Sequence, residues 1–191
     1  MTHIPRALTI LAVSGSLRRG SSNMEVLRAA ALLAPPGIRI IPFTGLEALP
    51  HFNPDLDRTP PPLAVTTLRE QVASADGLLI CSPEYAHGIP GVLKNALDWL
   101  ASGVEIVAKP IGVLNASPRS RHAHDSLIEV VRTLCANVVA GACIPVPLAG
   151  RHVDATSILA NPELVLVVQG ALAALVEAAE GRTSALLDAC V

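Results

Sequence analysis

Five short apolar runs alternate along this chain with longer segments of helical periodicity. The runs are mostly rich in Val, Ile and Leu without polar alternation, which is typical of strands buried on both faces. They predict strands at residues 7–13, 38–43, 77–82, 110–116 and 142–148. The segments between them place apolar residues three and four positions apart, which predicts helices at 22–34, 61–75, 90–102, 120–136 and 161–179.

This alternation predicts a parallel, doubly wound sheet with helices on both faces. The sequence contains no internal repeat, low-complexity tract or interdomain linker, so we expect a single domain over residues 1–191. The Pro-rich stretch at 49–63 is the longest irregular segment, and we interpret it as a surface loop. Ligands of such sheets bind at the carboxyl ends of the strands, so the loops after the first, third and fourth strands are the candidate site.

Composition and charge argue against several classes of partner. The chain has 191 residues, of which 51% are hydrophobic, and a formal net charge of -2. Its 14 basic residues are scattered, so we expect neither nucleic acid nor a membrane as a partner. The apolar run at 7–13 is too short to span a bilayer. The four cysteines show no CxxC spacing, so we expect no metal site, no disulfide framework and a cytoplasmic location.

The loop after the first predicted strand is rich in hydrogen-bond donors. Residues 13–23 read VSGSLRRGSSN and contain neither a Walker sequence nor a GxGxxG fingerprint. Hydroxyl groups, backbone amides at a helix N-terminus and the Arg18 guanidinium suit a phosphate monoester. The alternative interpretation is an ordinary Ser/Gly turn with a serine N-cap on the first helix.

The loop after the third predicted strand holds rare aromatic residues. Residues 81–99 read CSPEYAHGIPGVLKNALDW and include the chain's one Tyr and one Trp. Tyr85 lies beyond a buried strand, where its ring can lie against a flat ligand, whereas Trp99 is expected to pack inside a helix. Glu84 and His87 are ionisable candidates, and the alternative for each is a solvent-facing side chain without a role.

The segments GSLRRGSSN and PEYAHGIPGVLKNALDW together resemble the paired signatures of the NADPH-dependent FMN reductase family, flavodoxin-like flavoproteins that include chromate and quinone reductases. The segment LPHFNPDLD at 49–57 is similar to that family's segment after the second strand, so the resemblance extends over most of the chain. It implies an α/β flavodoxin-like three-layer sandwich, with a five-stranded parallel sheet in the order 2-1-3-4-5 and helices on both faces. It also implies assembly as a homodimer or homotetramer.

The same resemblance implies which residues hold FMN. Those expected at the FMN phosphate are Ser16, Arg18, Ser21 and Asn23. Those expected to flank the isoalloxazine ring are Pro83, Glu84, Tyr85, Ala86, His87 and Gly88, with Ser117 at the ring edge. For the helix that follows, we expect packing and subunit contacts from Lys94, Asn95, Asp98 and Trp99.

Two stretches depart from the family pattern. The family usually has Asn after the PEY triplet, whereas this chain has Ala86, so one polar side chain near the flavin is missing. The loop at 115–126, NASPRSRHAHDS, lacks the paired glycines of many members, and Arg119 or Arg121 is a candidate for the phosphates of a nicotinamide nucleotide. The HAH sequence at 122–124 predicts no metal site, because histidines two positions apart on a helix face apart.

The implied activity is that of an NAD(P)H-dependent, FMN-containing oxidoreductase. Hydride from NADPH or NADH passes to the flavin and then to a small-molecule acceptor such as a quinone, a flavin or chromate, and no catalytic side chain is expected because the flavin performs the chemistry. The alternative is a flavodoxin-like electron carrier, or a flavin- or redox-sensing protein, without NAD(P)H turnover. The weak net charge argues against a carrier, since small carriers dock through strong acidity. A third hypothesis is a divergent member that has lost flavin and binds another phosphorylated ligand.

Overall fold

The computed structural model describes residues 7–58, 60–117, 121–148 and 153–188, with side chains as far as Arg182. The strands are β1 Leu8–Ser14, β2 Ile38–Pro42, β3 Gly77–Cys81, β4 Pro110–Asn115, β5 Asn137–Val138 and β6 Ile144–Pro145. The α-helices are α1 Ser22–Leu33, α2 Leu63–Ser74, α3 Gly91–Leu100, α4 His122–Thr133, α5 Ala155–Leu159 and α6 Pro162–Asp188. Three short 3-10 turns lie at Leu46–Ala48, Pro54–Leu56 and Ala140–Ala142.

The strands form one parallel sheet in the order β2-β1-β3-β4-β5, with β6 also paired to β4. Apolar residues of α2, α3 and α4 cover one face of this sheet. Those of α1, α5 and α6 cover the other face. The predicted flavodoxin-like three-layer sandwich and strand order are therefore confirmed.

The fifth position of the sheet differs from the prediction of one strand at 142–148. Two short strands occupy it, because β5 pairs with the first two residues of β4 and β6 pairs with the last two. The intervening turn places Ala142 against β4, where a Cβ at Gly112 would lie 2.8 Å from the Ala142 Cβ. Pro145 and Pro147 have no N–H to donate, so the second strand ends early.

Burial on both faces is confirmed for β1, β3 and β4, whose residues are nearly all buried. It is wrong for β2, whose residues are half-buried or exposed. The difference follows from position, since β2 is the edge strand and pairs only with β1 among the described strands.

Helix α6 begins one residue after its predicted start at 161 and extends beyond the predicted end at 179. Among the described residues, one helical segment, Pro162–Arg182, is long enough and apolar enough to cross a membrane by length and composition alone. In its most apolar stretch, 33% of the residues are buried. Its inner side packs on the sheet through Val168, Leu172 and Leu175. We therefore interpret α6 as a core helix.

The Pro-rich segment 49–63 is anchored to α3. The Asn95 side-chain amide and the Trp99 indole N–H both donate to the Pro50 carbonyl oxygen, at 2.9 and 2.8 Å. Asn95 Oδ1 accepts the Phe52 N–H at 2.7 Å, and the Phe52 ring meets Trp99 edge-on at 5.1 Å. The packing expected of Asn95 and Trp99 is confirmed, and it fixes the start of this surface segment.

Candidate functional site

The loops after β1 and β3 meet at the carboxyl end of the sheet. The Gly15 N–H donates to the Cys81 carbonyl oxygen at 2.9 Å. A Cβ at Gly15 would lie 2.9 Å from the Ser82 Cβ and 3.1 Å from Leu93. Only glycine allows this close approach, which brings the two predicted site loops together.

The loop between β1 and α1 bonds to itself and leaves its tip exposed. The Ser16 N–H donates to Ser14 Oγ at 3.3 Å, and the Arg18 N–H donates to Ser16 Oγ at 3.2 Å. The Arg18 side chain is exposed, and Gly20 turns the chain towards α1 with a φ of 66°. Ser21 occupies the N-cap of α1 but makes no side-chain capping bond. The serine cap of the alternative interpretation is therefore not formed.

Two of the predicted phosphate residues are buried. Asn23 Nδ2 donates to Ser21 Oγ at 3.3 Å, and the Cys81 thiol donates to Asn23 Oδ1 at 3.3 Å. Burial raises the pKa of Cys81 to about 12, so this thiol stays protonated. Ser21 and Asn23 thus tie the start of α1 to β3, whereas Ser16 is half-buried and Arg18 is exposed.

A small cavity adjoins this loop on the side of β2. Its volume is about 180 Å³, and its lining includes Ser16 and Leu17 from the first loop together with Phe43, Thr44 and Glu47 from the segment after β2. We did not single out the last three residues from the sequence. Phe43 is the last residue of the strand predicted at 38–43, and Thr44 and Glu47 follow it, so their place at the carboxyl edge of the sheet is the signal that points to them.

The loop after β3 contains a tight turn of the mirror-image hairpin type. The Tyr85 N–H donates to the Gly88 carbonyl oxygen at 3.1 Å, and the Gly88 N–H donates to the Tyr85 carbonyl oxygen at 3.0 Å. Between them Ala86 and His87 have φ angles of 49° and 60°, in the left-handed region that favours glycine. Each such residue costs about 1–2 kcal/mol, so surrounding contacts must hold the turn. The Tyr85 side chain is 57% exposed.

Two contacts join this loop to the start of α4. Glu84 Oε2 accepts the Ala123 N–H at 2.9 Å. The His87 ring stacks on the His122 ring, with centroids 4.5 Å apart and planes inclined by 27°. Glu84 is half-buried and bonded, so the interpretation of a carboxylate that simply faces solvent does not hold for it, whereas His87 is exposed to solvent as well as stacked on His122. Sequence reasoning did not single out His122 or Ala123 for these contacts, because no local pattern encodes a pairing between two loops.

The loop after β4 lies beside the same end of the sheet. The Ser117 N–H donates to Asn115 Oδ1 at 2.9 Å, and the Ser117 side chain is half-buried. Arg121 is exposed, while Arg119 lies outside the described residues. Burial lowers the pKa of His124, whose Nδ1 has no partner within the described part of the chain. No group of three potential metal ligands occurs among the residues that the structure describes.

These features define a flavodoxin-like α/β protein whose candidate site lies at the carboxyl ends of β1, β3 and β4. Residues 8–149 match the model of the family described as NADPH-dependent FMN reductase, and the chain belongs to that family. The resemblance inferred from the two sequence signatures is thereby confirmed.

Curated relatives align over about half to three-fifths of this chain. An NAD(P)H-dependent FMN reductase of Pseudomonas aeruginosa is 41% identical over 112 residues, which are 58% of this chain and 60% of the relative. A 2-hydroxy-1,4-benzoquinone reductase of a Burkholderia species is 47% identical over 49% of this chain and 50% of the relative. A quinone reductase of Escherichia coli is 34% identical over 58% of this chain and 60% of the relative. The matched part thus spans only about half to three-fifths of these relatives.

A solved structure covers more of the chain. The flavoenzyme FerB of Paracoccus denitrificans, titled an NAD(P)H:(acceptor) oxidoreductase, superposes with a TM-score of 0.74 and 24% identity. The superposition covers 91% of this chain and 98% of FerB. This likeness supports the fold.

Proposed function

We propose that this protein binds FMN and transfers hydride from NADPH or NADH through it to a small-molecule acceptor. The observation that carries the proposal is that two loops meet at one end of the sheet. One loop is rich in hydrogen-bond donors that suit an anion, and the other bears an exposed tyrosine. The family to which the chain belongs is described by the same cofactor and the same reductant.

The donors of the first loop fit the phosphate of FMN. Ser16 and Arg18 supply a hydroxyl and a guanidinium at the surface, and α1 begins without a side-chain cap. An anion at that helix start is favoured by the helix dipole and by charge-assisted hydrogen bonds. We assign Ser21 and Asn23 the part of holding the start of α1 in place for the phosphate, because their side chains bond inward.

The turn after β3 fits the flat isoalloxazine ring. Tyr85 offers an exposed aromatic face, and Ala86 and His87 have small or planar side chains beside it. Pro83 precedes the turn, its carbonyl oxygen accepting the Ser82 hydroxyl at 3.1 Å. We assign this turn to the ring, from Pro83 to Gly88, and Ser117 to its edge.

FMN, when bound, supplies the two-electron chemistry, so the protein's part is binding, orientation and electrostatics. The Tyr85 and Gly88 amides donate within the turn, so we assign the stabilisation of negative charge on a reduced ring to the backbone amides between them, those of Ala86 and His87. We assign no catalytic nucleophile, and Cys81 in particular is a protonated, buried thiol. Arg121 is an exposed candidate for the phosphates of the nicotinamide nucleotide.

The relatives named as quinone reductases favour a quinone as the acceptor, with flavin and chromate as further candidates. We further propose that residues 1–191 act as a single domain, that the protein works in the cytoplasm, and that it assembles as a homodimer or homotetramer. Size-exclusion chromatography with light scattering measures the assembly directly.

The direct test is the absorbance spectrum of the purified full chain, followed by FMN titration and NADPH oxidation with a quinone. We expect flavin absorbance and turnover, and a loss of about tenfold or more in FMN affinity for Arg18→Ala. Arg19→Ala, an exposed arginine next along the loop, is the matched control and retains affinity. A colourless protein that takes up no FMN and oxidises no NADPH contradicts the proposal. FMN binding without NADPH oxidation favours the electron carrier or the flavin- or redox-sensing protein instead, and semiquinone accumulation on titration favours the carrier.

A further inference from the structure

We propose that the start of α4 positions the flavin-flanking turn, with Glu84 and His122 as the positioning residues. The inference rests on the proposed function, since it concerns how the turn Tyr85–Gly88 is held for FMN. Glu84, which the family resemblance places beside the isoalloxazine ring, is given the role of bonding to the start of α4 instead. His122, a residue outside both sequence signatures, is added as a second positioning residue.

The turn needs support from outside itself. Its two backbone hydrogen bonds join only Tyr85 and Gly88. Between them, Ala86 and His87 hold left-handed angles that residues with a Cβ rarely adopt. A two-residue turn of this kind in a sequence without glycine at those positions relaxes unless neighbouring contacts oppose it.

Glu84 supplies the first contact and caps α4 at the same time. The residue at the N-cap of α4, Arg121, has helical angles and makes no side-chain capping bond. The Glu84 carboxylate instead accepts the Ala123 N–H across 39 positions of sequence. A negative charge at this helix end is favoured by the dipole and by a charge-assisted bond, so the loop and the helix start stabilise each other.

His122 supplies the second contact. It is the first residue of α4, and its ring lies nearly parallel to that of His87, the second left-handed residue of the turn. The two contacts lie on either side of Tyr85. Glu84, which bonds to α4, precedes Tyr85 by one residue, and His87, which stacks on His122, follows it by two. Both contacts act on residues next to Tyr85, so the position of α4 determines where the Tyr85 side chain stands relative to the proposed flavin.

The experiment compares full-chain variants by two measurements, FMN affinity of the apoprotein and hydrogen exchange of a peptide spanning residues 82–90. We expect His122→Ala to weaken FMN binding by about three- to tenfold and Glu84→Ala by about tenfold. Both speed the exchange of the Tyr85 and Gly88 amides, and both shift the midpoint potential of bound FMN. His122→Phe keeps a stacking ring and restores affinity, potential and protection, and Glu84→Gln keeps an acceptor oxygen and restores them in part.

His51→Ala, an exposed histidine in another segment, is the matched control and leaves all three measurements unchanged. Urea midpoints check that the variants fold, and His122 is exposed, so its variants test the proposal even if Glu84→Ala unfolds. Unchanged exchange and unchanged FMN affinity in His122→Ala, and in Glu84→Ala where it folds, overturn the proposal. If the unmodified protein binds no FMN, the proposed function is contradicted. The hydrogen-exchange measurement then decides by itself whether α4 holds the turn.

Discussion

The two ends of the sheet use polar residues in opposite ways. At the amino end, Lys109 is 1% exposed, and its Nζ donates to the carbonyl oxygens of Ala73 and Ala75 at 3.2 and 2.6 Å. Asp76 is 5% exposed, and its Oδ2 accepts the Thr9 N–H at 2.8 Å. Each of these buried groups has a partner within the fold, and the lysine caps the carbonyls at the end of α2.

At the carboxyl end, two of the charged and aromatic side chains of the candidate site are exposed to solvent. Arg18 and Tyr85 are exposed, and the strained residues Ala86 and His87 lie on the same edge. Polar groups that complete their bonds inside a protein stabilise it, whereas exposed donors on a strained loop are available to a ligand. The contrast separates residues that maintain this fold from residues proposed to bind FMN, and four substitutions test it.

The largest effect is expected at the amino end. Asp76→Ala removes the acceptor of the Thr9 N–H and takes away the negative charge near Lys109. The free energy of unfolding should therefore fall by about 3–5 kcal/mol. Urea unfolding measures this change, with the exposed Asp55→Ala as the control. The FMN affinity of the folded fraction should not change. A loss under about 1 kcal/mol would contradict the assigned role of this carboxylate.

The second effect depends on pH. Burial lowers the pKa of Lys109 to about 8 from 10.5. Between these values the unfolded chain holds more protons than the folded protein, so the free energy of unfolding rises with pH. Relative to Lys109→Met, we expect a gain of about 3 kcal/mol from pH 8 to pH 10.5. Urea titrations of both proteins across that range measure it, and parallel profiles would show that the lysine does not titrate as inferred.

The third effect belongs to the carboxyl end. Gly15→Ala places a Cβ against Ser82, which forces the loops after β1 and β3 apart. We expect a loss of about 1–3 kcal/mol in the free energy of unfolding and a marked loss of FMN affinity. The double variant Gly15→Ala with Ser82→Gly removes the contact with Ser82 and leaves only the one with Leu93, so it should recover most of both quantities. Additive losses in that double variant would rule out the close approach as the cause.

The smallest effect is a gain. Ala86→Asn replaces a residue held at a φ of 49° by one that tolerates the left-handed region, which should stabilise the protein by roughly 0.5–1 kcal/mol. Ala101→Asn is the control, because Ala101 is an exposed residue with helical angles and should gain nothing. Thermal unfolding compares the two. The turn also explains in physical terms why an asparagine suits this position in the family pattern.

The hydrophobic pattern predicts the central strands well, because β1, β3 and β4 are continuous apolar runs, whereas the strand order is implied by the family resemblance. It misplaces the fifth strand because the pairing depends on the fit of Ala142 against Gly112, a contact between distant segments. It identifies the loops of the site by their place after strands and by the family signatures. It misses the contact of Glu84 with α4 and the stacking on His122, since both depend on how two loops meet in three dimensions.

The divided strand beside β4 also bears on how this edge of the sheet meets other molecules. A long, continuous outer strand presents a row of unpaired amides and carbonyls that recruits the strand of another molecule. Here that side of the sheet consists of two strands of two residues each, separated by a turn and ending at a proline. Such a border, as far as the described residues form it, is a poor template for strand addition, so we expect the interruption to disfavour aggregation along that edge.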